Sequence, residues 1–143
     1  METLQRLTRR QVETLEIIAA VETPMQGVPL KSVASALKVR PPSALSHLTP
    51  LEALGLIARR RGKSRLTPRG RSTLVEYRRH HRVAEHLFAR VGFSPEETCR
   101  AAREIDLALG HNTVDRLCRS EGHPPTCPHG QPIVPCQGRP ERA

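Results

Sequence analysis

The first two predicted helices come from apolar residues that recur at helical spacing near the start of the chain. Thr8 is a suitable capping residue for helix one, and the apolar stripe that follows it lies on one face. That stripe consists of Val12, Leu15, Ile18 and Ala19. A second stripe runs from Leu30 to Leu37 with the i, i+3, i+4, i+7 spacing of an amphipathic helix. Both helices are therefore expected to bury one face.

A third predicted helix follows a short turn from Val39 to Pro41. Pro42 suits its first turn, a stripe of leucines gives its inward face, and Gly55 ends it. Two short helices joined by a tight turn are the helix-turn-helix pattern, whose second helix enters the DNA major groove. Pro50 lacks the N–H that would bond the Ser46 carbonyl, so we expect it to kink this helix. The candidate DNA contacts are Arg40, Pro42, Ser43, Ser46 and His47.

A cationic hairpin is predicted directly after helix three. Its two short strands are Leu56 to Arg60 and Ser64 to Thr67, around a turn at Gly62-Lys63. A helix-turn-helix followed by such a hairpin is typical of a winged helix, in which wing cations contact phosphates. Those cations are Arg59, Arg60, Arg61, Lys63 and Arg65. A run of charge is often only a solvated face, but this run lies on the element expected to follow a phosphate backbone.

The second half of the chain is predicted to hold three more helices and an irregular tail. One long helix spans Arg69 to Arg90, a second begins at the capping residue Ser94 and runs to about Leu109, and a third spans Asn112 to Arg119. Six prolines and three glycines among residues 122–143 exclude regular structure there. The predicted domains are residues 1–70, residues 71–122 and a tail of residues 123–143.

The chain has a formal net charge of +9 that is concentrated in its first part. Residues 1–90 hold 17 Lys and Arg against 7 Asp and Glu, whereas residues 91–143 hold 6 against 7. This asymmetry indicates a polyanionic partner, with DNA, RNA and an anionic membrane surface all open. No apolar run is long enough for a membrane span or a secretory signal, so a cytoplasmic protein with reduced thiols is expected.

The motifs of the chain together resemble those of the diphtheria toxin repressor family of iron- and manganese-dependent repressors. The likeness includes the winged helix, LTPRG, HHRVAEHLFARVGFSPEETCRAAREID, HNTVDRLC and GHPPTCPHGQPI. The chain is similar to the short members, like the manganese transport regulator, that lack an SH3-like domain. The resemblance implies a mainly α fold: an N-terminal winged helix-turn-helix, a helical metal-binding and dimerisation domain, and a Pro/Gly/Cys-rich tail. It also implies a homodimer that binds a palindromic operator in double-stranded DNA.

The resemblance also implies ligands for a regulatory divalent metal. The positions that match family ligands are His81, Glu85 and Cys99. The first two form an i, i+4 pair on one face of the long helix, although such a pair could also be an exposed ion pair. In the next helix Arg103 and Leu107 stand where the family has ligands, and neither can bind a cation. Asp106, between them, could be a surviving ligand or the partner of Arg103, and manganese control of the usual kind is not expected.

The segment CRSEGHPPTCPHGQPIVPC offers softer donors, since it holds three of the four cysteines and two histidines. Thiolate and imidazole favour Fe²⁺, Zn²⁺ or an iron-sulfur cluster over Mn²⁺. The expected metal ligands are His81, Glu85, Cys99, Cys118, Cys127 and Cys136. The segment lacks the Cys-x-x-Cys pairs typical of zinc sites, so Cys118 could equally be a small buried side chain. His123 and His129 could likewise be polar loop residues.

The favoured function is a metal- or cluster-responsive DNA-binding transcriptional regulator, a repressor of iron or metal homeostasis genes and not an enzyme. A second hypothesis is a winged-helix regulator without metal control that senses redox through its cysteines. A zinc hydrolase would need an open metal position and a general base, but no His-Glu-x-x-His motif occurs. A non-DNA interaction module is the last alternative, and it predicts no salt-dependent binding to duplex DNA.

Overall fold

The computed structural model describes residues 2–136, and these residues are mainly helical. They divide into two compact units. Leu7–Leu74 form one, called here the N-terminal unit, and the other described residues form the C-terminal unit. Residues 137–143, the end of the predicted tail, lie outside the described part of the chain. Among the described residues no helix combines the length and apolar character that a membrane crossing requires.

The N-terminal unit contains the three helices predicted for it. Thr8 caps the first helix, because its hydroxyl accepts the Gln11 N–H while the Gln11 side chain accepts the Thr8 N–H. The turn after the second helix begins at Lys38, which adopts a left-handed conformation with φ of 57°. Pro41 is already helical, so the turn lies one residue earlier than predicted. The helices are α1 (Arg9–Val21), α2 (Leu30–Leu37) and α3 (Pro41–Ala53).

Pro50 lies within α3 and does not end it. The helix continues to Ala53, and the Leu54 N–H bonds the Pro50 carbonyl at 3.0 Å. Gly55 follows with φ of 71°, a conformation that suits glycine and turns the chain away from the helix. The recognition helix inferred from the sequence is therefore continuous across its proline.

A small antiparallel sheet completes the N-terminal unit. Strands β2 (Ile57–Arg60) and β3 (Lys63–Leu66) form the predicted hairpin, but its turn falls at Arg61–Gly62. Both turn residues have positive φ, 52° and 73°, the backbone pattern of a tight two-residue hairpin. Strand β1 (Val28–Pro29) pairs with the outer side of β3 and was missed, because two residues carry no alternating pattern.

The core of the N-terminal unit is aliphatic, as the near absence of aromatic residues requires. Gly70 allows a close approach in this core, since a Cβ there would lie 2.0 Å from the Leu56 carbonyl oxygen. The glycine of LTPRG thus has a packing role that any side chain would disrupt. The largest fully buried side chains include Leu15, Ile18, Val28, Val33, Leu48, Leu51 and Leu56.

Three helices carry the C-terminal unit: α4 (Pro68–Arg90), which enters it at Val75, α5 (Pro95–Ile105) and α6 (His111–Ser120). Ser94 caps α5 in a reciprocal pair with Glu97, as the sequence indicated. α5 ends four residues before the predicted Leu109, because residues 106–108 form a turn. The N-cap of α6, Gly110, has no side chain, and the Glu2 carboxylate accepts the His111 N–H at 2.9 Å instead.

The described part of the predicted tail is irregular but packed. Its single bridge joins Thr126 to Pro132, and beyond α6 no helix or longer strand occurs among the described residues. Apolar and thiol side chains of this segment nonetheless enter a core with α4 and α6. The buried members of that core are Val83, Val114, Cys118, Cys127, Ile133 and Cys136. Residues 123–136 are thus part of the C-terminal unit.

Candidate metal centre and nucleic-acid interface

The long helix α4 places His81 and Glu85 on one buried face. The i, i+4 spacing brings Nε2 of His81 to 2.6 Å from Oε1 of Glu85, with side-chain exposures of only 15% and 4%. The pair is therefore not the exposed ion pair that the sequence left open. The second imidazole nitrogen, Nδ1, lies 2.8 Å from Oδ2 of Asp106, which is fully buried. Asp106 is therefore a hydrogen-bond partner of His81.

Glu85 also binds residues from the Cys- and Pro-rich segment. Its second oxygen, Oε2, accepts a hydrogen bond from Nδ1 of His129 at 2.9 Å, and the Cys127 thiol bonds the same carboxylate. The Cys99 thiol, from α5, lies 3.6 Å from Nε2 of His81. Two groups of donors share Glu85, and within each group the donor atoms lie within 4.8 Å of one another. We call these five residues, His81, Glu85, Cys99, Cys127 and His129, the His81 site.

A tight loop positions the two donors of the CPHG motif. The Cys127 N–H bonds the Gln131 carbonyl, and the Gly130 N–H bonds the Cys127 carbonyl, both at 2.8 Å. Gly130 has φ of 79°, which favours glycine at that position. The Arg82 guanidinium, on α4, donates to the Pro132 carbonyl at 2.6 Å. Local turn chemistry and one arginine thus hold this loop beside Glu85.

The charges of the His81 site are coupled. Burial by itself lowers the pKa of His81, but hydrogen bonds with Asp106 and Glu85 outweigh it and raise that pKa to about 10. Burial opposes ionisation of Glu85, yet hydrogen bonds with His81 and His129 lower its pKa overall. His81 is therefore an imidazolium that donates both N–H groups to carboxylates. A metal ion that takes Nε2 must displace one of these protons.

The other two cysteines lie in a different group. His123, which has a left-handed φ of 53°, brings Nδ1 to 3.3 Å from the Cys136 sulfur and 3.7 Å from the Cys118 sulfur. Both thiols are buried, and burial raises the pKa of Cys118. Cys118 is thus buried, which fits the first of the two expectations, and its role as a ligand stays a prediction. Its group shares no residue with the His81 site.

The predicted DNA contacts lie on two surfaces of the N-terminal unit. On α3, Arg40, Pro42, Ser43 and Ser46 are exposed and His47 is half-buried. On the hairpin, Arg60, Arg61 and Lys63 are exposed, and their side chains make no hydrogen bond or ion pair with another described residue. The remaining two wing cations have partners inside the unit. Arg59 lies 3.8 Å from Glu52, and Arg65 donates to the carbonyls of Thr23 and Pro24.

Most of the C-terminal unit, which holds the potential metal ligands, matches a described protein family. The family model for the iron dependent repressor, metal binding and dimerisation domain, covers residues 67–135. Residues 67–135 belong to the iron dependent repressor family. This range contains every donor of the His81 site, the Cys118 group, and most of the Cys- and Pro-rich segment. No curated protein matches the chain as a sequence.

Several solved structures are similar to this chain over most of its length. A hypothetical protein from Sulfolobus solfataricus is 26% identical with a TM-score of 0.84, and the match covers 90% of this chain and 99% of that one. T. acidophilum IdeR is 27% identical with a TM-score of 0.65, over 96% of this chain and 64% of its own. A manganese-dependent transcriptional repressor in complex with manganese is 27% identical with a TM-score of 0.70, over 91% and 60%. The chain thus spans about 60% of the length of these two repressors.

Several potential metal ligands of the C-terminal unit were not in the predicted ligand set. His129 and His123 had been noted only as neighbours of the cysteines, because a loop histidine carries no periodic signal. His80, next to the expected ligand His81, was not in that set either, and it is fully buried. With Glu76 and His111 it forms a further donor group. The structure also distributes the four cysteines over three donor groups, so no described group offers the four thiols that commonly hold an iron-sulfur cluster.

Proposed function

We propose that this protein is a metal-responsive DNA-binding transcriptional regulator, acting as a homodimeric repressor of metal homeostasis genes. The observation that carries the proposal is the His81 site. Donors from α4, α5 and the CPHG loop, far apart in sequence, meet at the Glu85 carboxylate. They do so within a domain whose family description includes both metal binding and dimerisation. The match to a domain of transcriptional regulators gives no support for an enzymatic role.

The donor chemistry supports Fe²⁺ or Zn²⁺ rather than Mn²⁺. Two thiols and two imidazoles are soft to borderline ligands, and the Glu85 carboxylate is the one hard oxygen donor, whereas Mn²⁺ prefers oxygen donors throughout. One relative was solved with manganese, but this chain brings two thiols to the site instead. A bound ion would replace protons of the His81 site. It would supply the positive charge that they carry and would bond the ligand atoms directly. Asp106 would then keep Nδ1 of His81 protonated and orient the ring, as outer-shell carboxylates do.

The proposed DNA surface combines α3 with the hairpin in a winged-helix arrangement. Ser43, Ser46 and His47 on α3 are candidates for contacts in the major groove, on each half of a palindromic operator. The side chains of Arg60, Arg61 and Lys63 have no partner among the described residues, so phosphates can engage them without breaking an internal contact. Arg65 and Arg59 support the hairpin instead.

The proposed mechanism is thermodynamic linkage. A metal ion that binds the DNA-competent state better than the free state raises operator affinity by that same difference, typically about 1–3 kcal/mol. By reciprocity, operator DNA should tighten metal binding by the same factor.

The DNA surface can be tested by the salt dependence of duplex binding. Each phosphate contact contributes about 0.9 to the slope of log affinity against log salt. The variant R60A/R61A/K63A should therefore lose a slope of roughly 2–3. R116A, which removes an exposed cation of the C-terminal unit, is the control and should leave the slope unchanged. An unchanged slope in the triple variant would remove the hairpin from the interface.

A second candidate function is redox sensing, and the Cys118 group favours it. The sulfurs of Cys118 and Cys136 are both free and lie within 4.8 Å of each other. A peroxide could oxidise the two thiols to a disulfide, releasing water and adding no other group. In that case DNA binding would respond to peroxide and not to chelators, and C118S/C136S would abolish the response. A chelator-sensitive, peroxide-insensitive protein would exclude this alternative.

A further inference from the structure

We propose that Glu76, His80 and His111 form a second metal site, distinct from the His81 site, for a divalent transition metal ion such as Zn²⁺. The three residues lie in the C-terminal unit and share no ligand with the His81 site or the Cys118 group. The proposal does not depend on the proposed function, because it concerns different donors on a different face of α4.

The spacing of the three donors fits a single ion. Oε1 of Glu76 lies 3.7 Å from Nε2 of His80, one turn along α4, and 3.7 Å from Nδ1 of His111 at the start of α6. These distances are too long for hydrogen bonds. They are close to the roughly 3.4 Å that separates two ligands bound tetrahedrally to zinc at about 2.1 Å each. The atoms face one another without bonding one another.

His80 provides an independent observation. Its side chain is fully buried, and neither ring nitrogen makes a hydrogen bond of normal geometry with a described residue, although the Leu109 backbone is near enough to favour the protonated ring. Leaving a buried polar group unsatisfied destabilises the fold, so such a group requires an explanation. The Nε2 atom points toward Glu76, and the Leu109 backbone lies close to the ring. A metal ion on Nε2 would provide the missing partner.

The surroundings of His111 match those of a metal-bound histidine. Its second nitrogen, Nε2, lies 3.5 Å from Oδ2 of Asp115, and Asp115 is held by Arg79 at 2.5 Å. Metal-binding histidines commonly turn their other nitrogen to a carboxylate in this way. Glu2 accepts the backbone N–H of His111 and so fixes the start of α6. The carboxylates of Glu2, Glu76 and Asp115 thus all lie beside His111, and a bound cation would offset their negative charge.

The ligand set defines the class of ion and leaves a position open. Two imidazoles and one carboxylate suit Zn²⁺ or Fe²⁺ and contain no thiol, in contrast to the His81 site. The side chains of Glu76 and His111 are 31% and 37% exposed, so an ion can enter from solvent and keep a water ligand. The buried His80 forms the floor of the site.

The test is a Zn²⁺ titration of the full chain, read by native mass spectrometry and calorimetry. E76Q and H111Q change partly exposed side chains and should each bind one Zn²⁺ fewer than the wild-type chain. H86Q is the matched control, since His86 lies on the same helix 3.7 Å from the Glu121 carboxylate but belongs to no three-donor group. It should bind the wild-type number of ions. Circular dichroism confirms that each variant is folded.

A variant that lacks both thiols of the His81 site allows metal binding at the two sites to be measured separately. In C99S/C127S, which removes both thiols from the His81 site, Co²⁺ should still bind at Glu76, His80 and His111. This Co²⁺ should show ligand-field absorption that disappears in C99S/C127S/E76Q. The proposal is overturned if E76Q and H111Q bind as many Zn²⁺ ions as the wild-type chain with unchanged Kd. That result would leave the proposed function intact, whereas loss of binding in E85Q alone concerns only the His81 site.

Discussion

Two neighbouring histidines of α4 stand in opposite environments. His81 bonds a carboxylate at each ring nitrogen, and those bonds raise its pKa to about 10. His80 is fully buried without a hydrogen bond of normal geometry, and burial, followed by the charges of Arg79 and His111, lowers its pKa to about 4. Each histidine nevertheless has a glutamate one helical turn away, Glu85 in one case and Glu76 in the other.

The comparison shows that an i, i+4 pair of histidine and glutamate does not fix its own chemistry. In the His81 pair, hydrogen bonds already occupy the imidazole nitrogens and the carboxylate oxygens. A metal ion must therefore compete with protons for these atoms. The His80 pair is open, since its atoms lie 3.7 Å apart and leave a nitrogen unsatisfied. Asp106 and the CPHG loop set the environment of the His81 pair, whereas His111 and Asp115 set that of the His80 pair. Neighbours from other segments therefore decide what each pair can bind.

The largest expected effect comes from removing the carboxylate that the two donor groups of the His81 site share. E85Q should weaken metal binding at that site by more than about 100-fold, which exceeds the usual effect of an outer-shell change. The amide keeps the size of the side chain but loses the charge that pairs with His81. Chelator competition with Zn²⁺ would measure the loss, and E76Q should leave this affinity unchanged. Equal losses in the two variants would mean that the pairs are not independent sites.

The carboxylates of Asp106 and Asp115, each of which lies beside a proposed metal-binding histidine, provide a matched pair of tests with smaller expected effects. D106N should weaken the His81 site by about 10–100-fold, and D115N should do the same for the site at His80. Each change replaces a carboxylate beside the nitrogen that does not bind metal. Paired titrations of both variants would show whether each effect remains on its own side of α4. An effect of D115N on the thiol-containing site would contradict the separation.

A further effect is expected in the pH dependence of stability of the metal-free protein. His80 has a folded pKa below its unfolded value near 6.5, so its contribution is present above pH 6.5 and declines toward pH 4. His81 has a raised folded pKa, so its contribution is complete below pH 6.5 and declines as the pH rises toward 10. Urea unfolding across this range should show a flatter acid limb in H80Q and a flatter alkaline limb in H81Q. Identical profiles in both variants would contradict the assignment.

Local sequence patterns carried much of the fold and part of the site. The capping residues Thr8 and Ser94 and the apolar stripes marked real helices, because caps and periodicity are properties of nearby residues. Resemblance to a family identified His81, Glu85 and Cys99, which the structure brings together. The strand Val28–Pro29 could not be predicted, since its pairing with β3 spans more than thirty residues of chain.

The distribution of the thiols could not be predicted for the same reason. Cys127 joins Glu85, whereas Cys118 and Cys136 meet at His123, and only the path of the Pro-rich segment decides between these outcomes. The electrostatic environment of His80 likewise depends on residues distant in sequence, His111 of α6 and Glu2 near the start of the chain. Spacing along a helix indicates which residues share a face, but it does not indicate what covers that face.

The most direct test of the central claim is the effect of metal on DNA affinity under anaerobic conditions. Duplexes selected by the protein from a random-sequence library would be titrated, by fluorescence anisotropy, with metal-free and with Fe²⁺- or Zn²⁺-loaded protein. We expect metal to raise the affinity of the wild-type chain by about 5–150-fold and to have no effect on E85Q. Equal affinity of the metal-free and metal-saturated wild-type protein would contradict metal-responsive regulation through the His81 site.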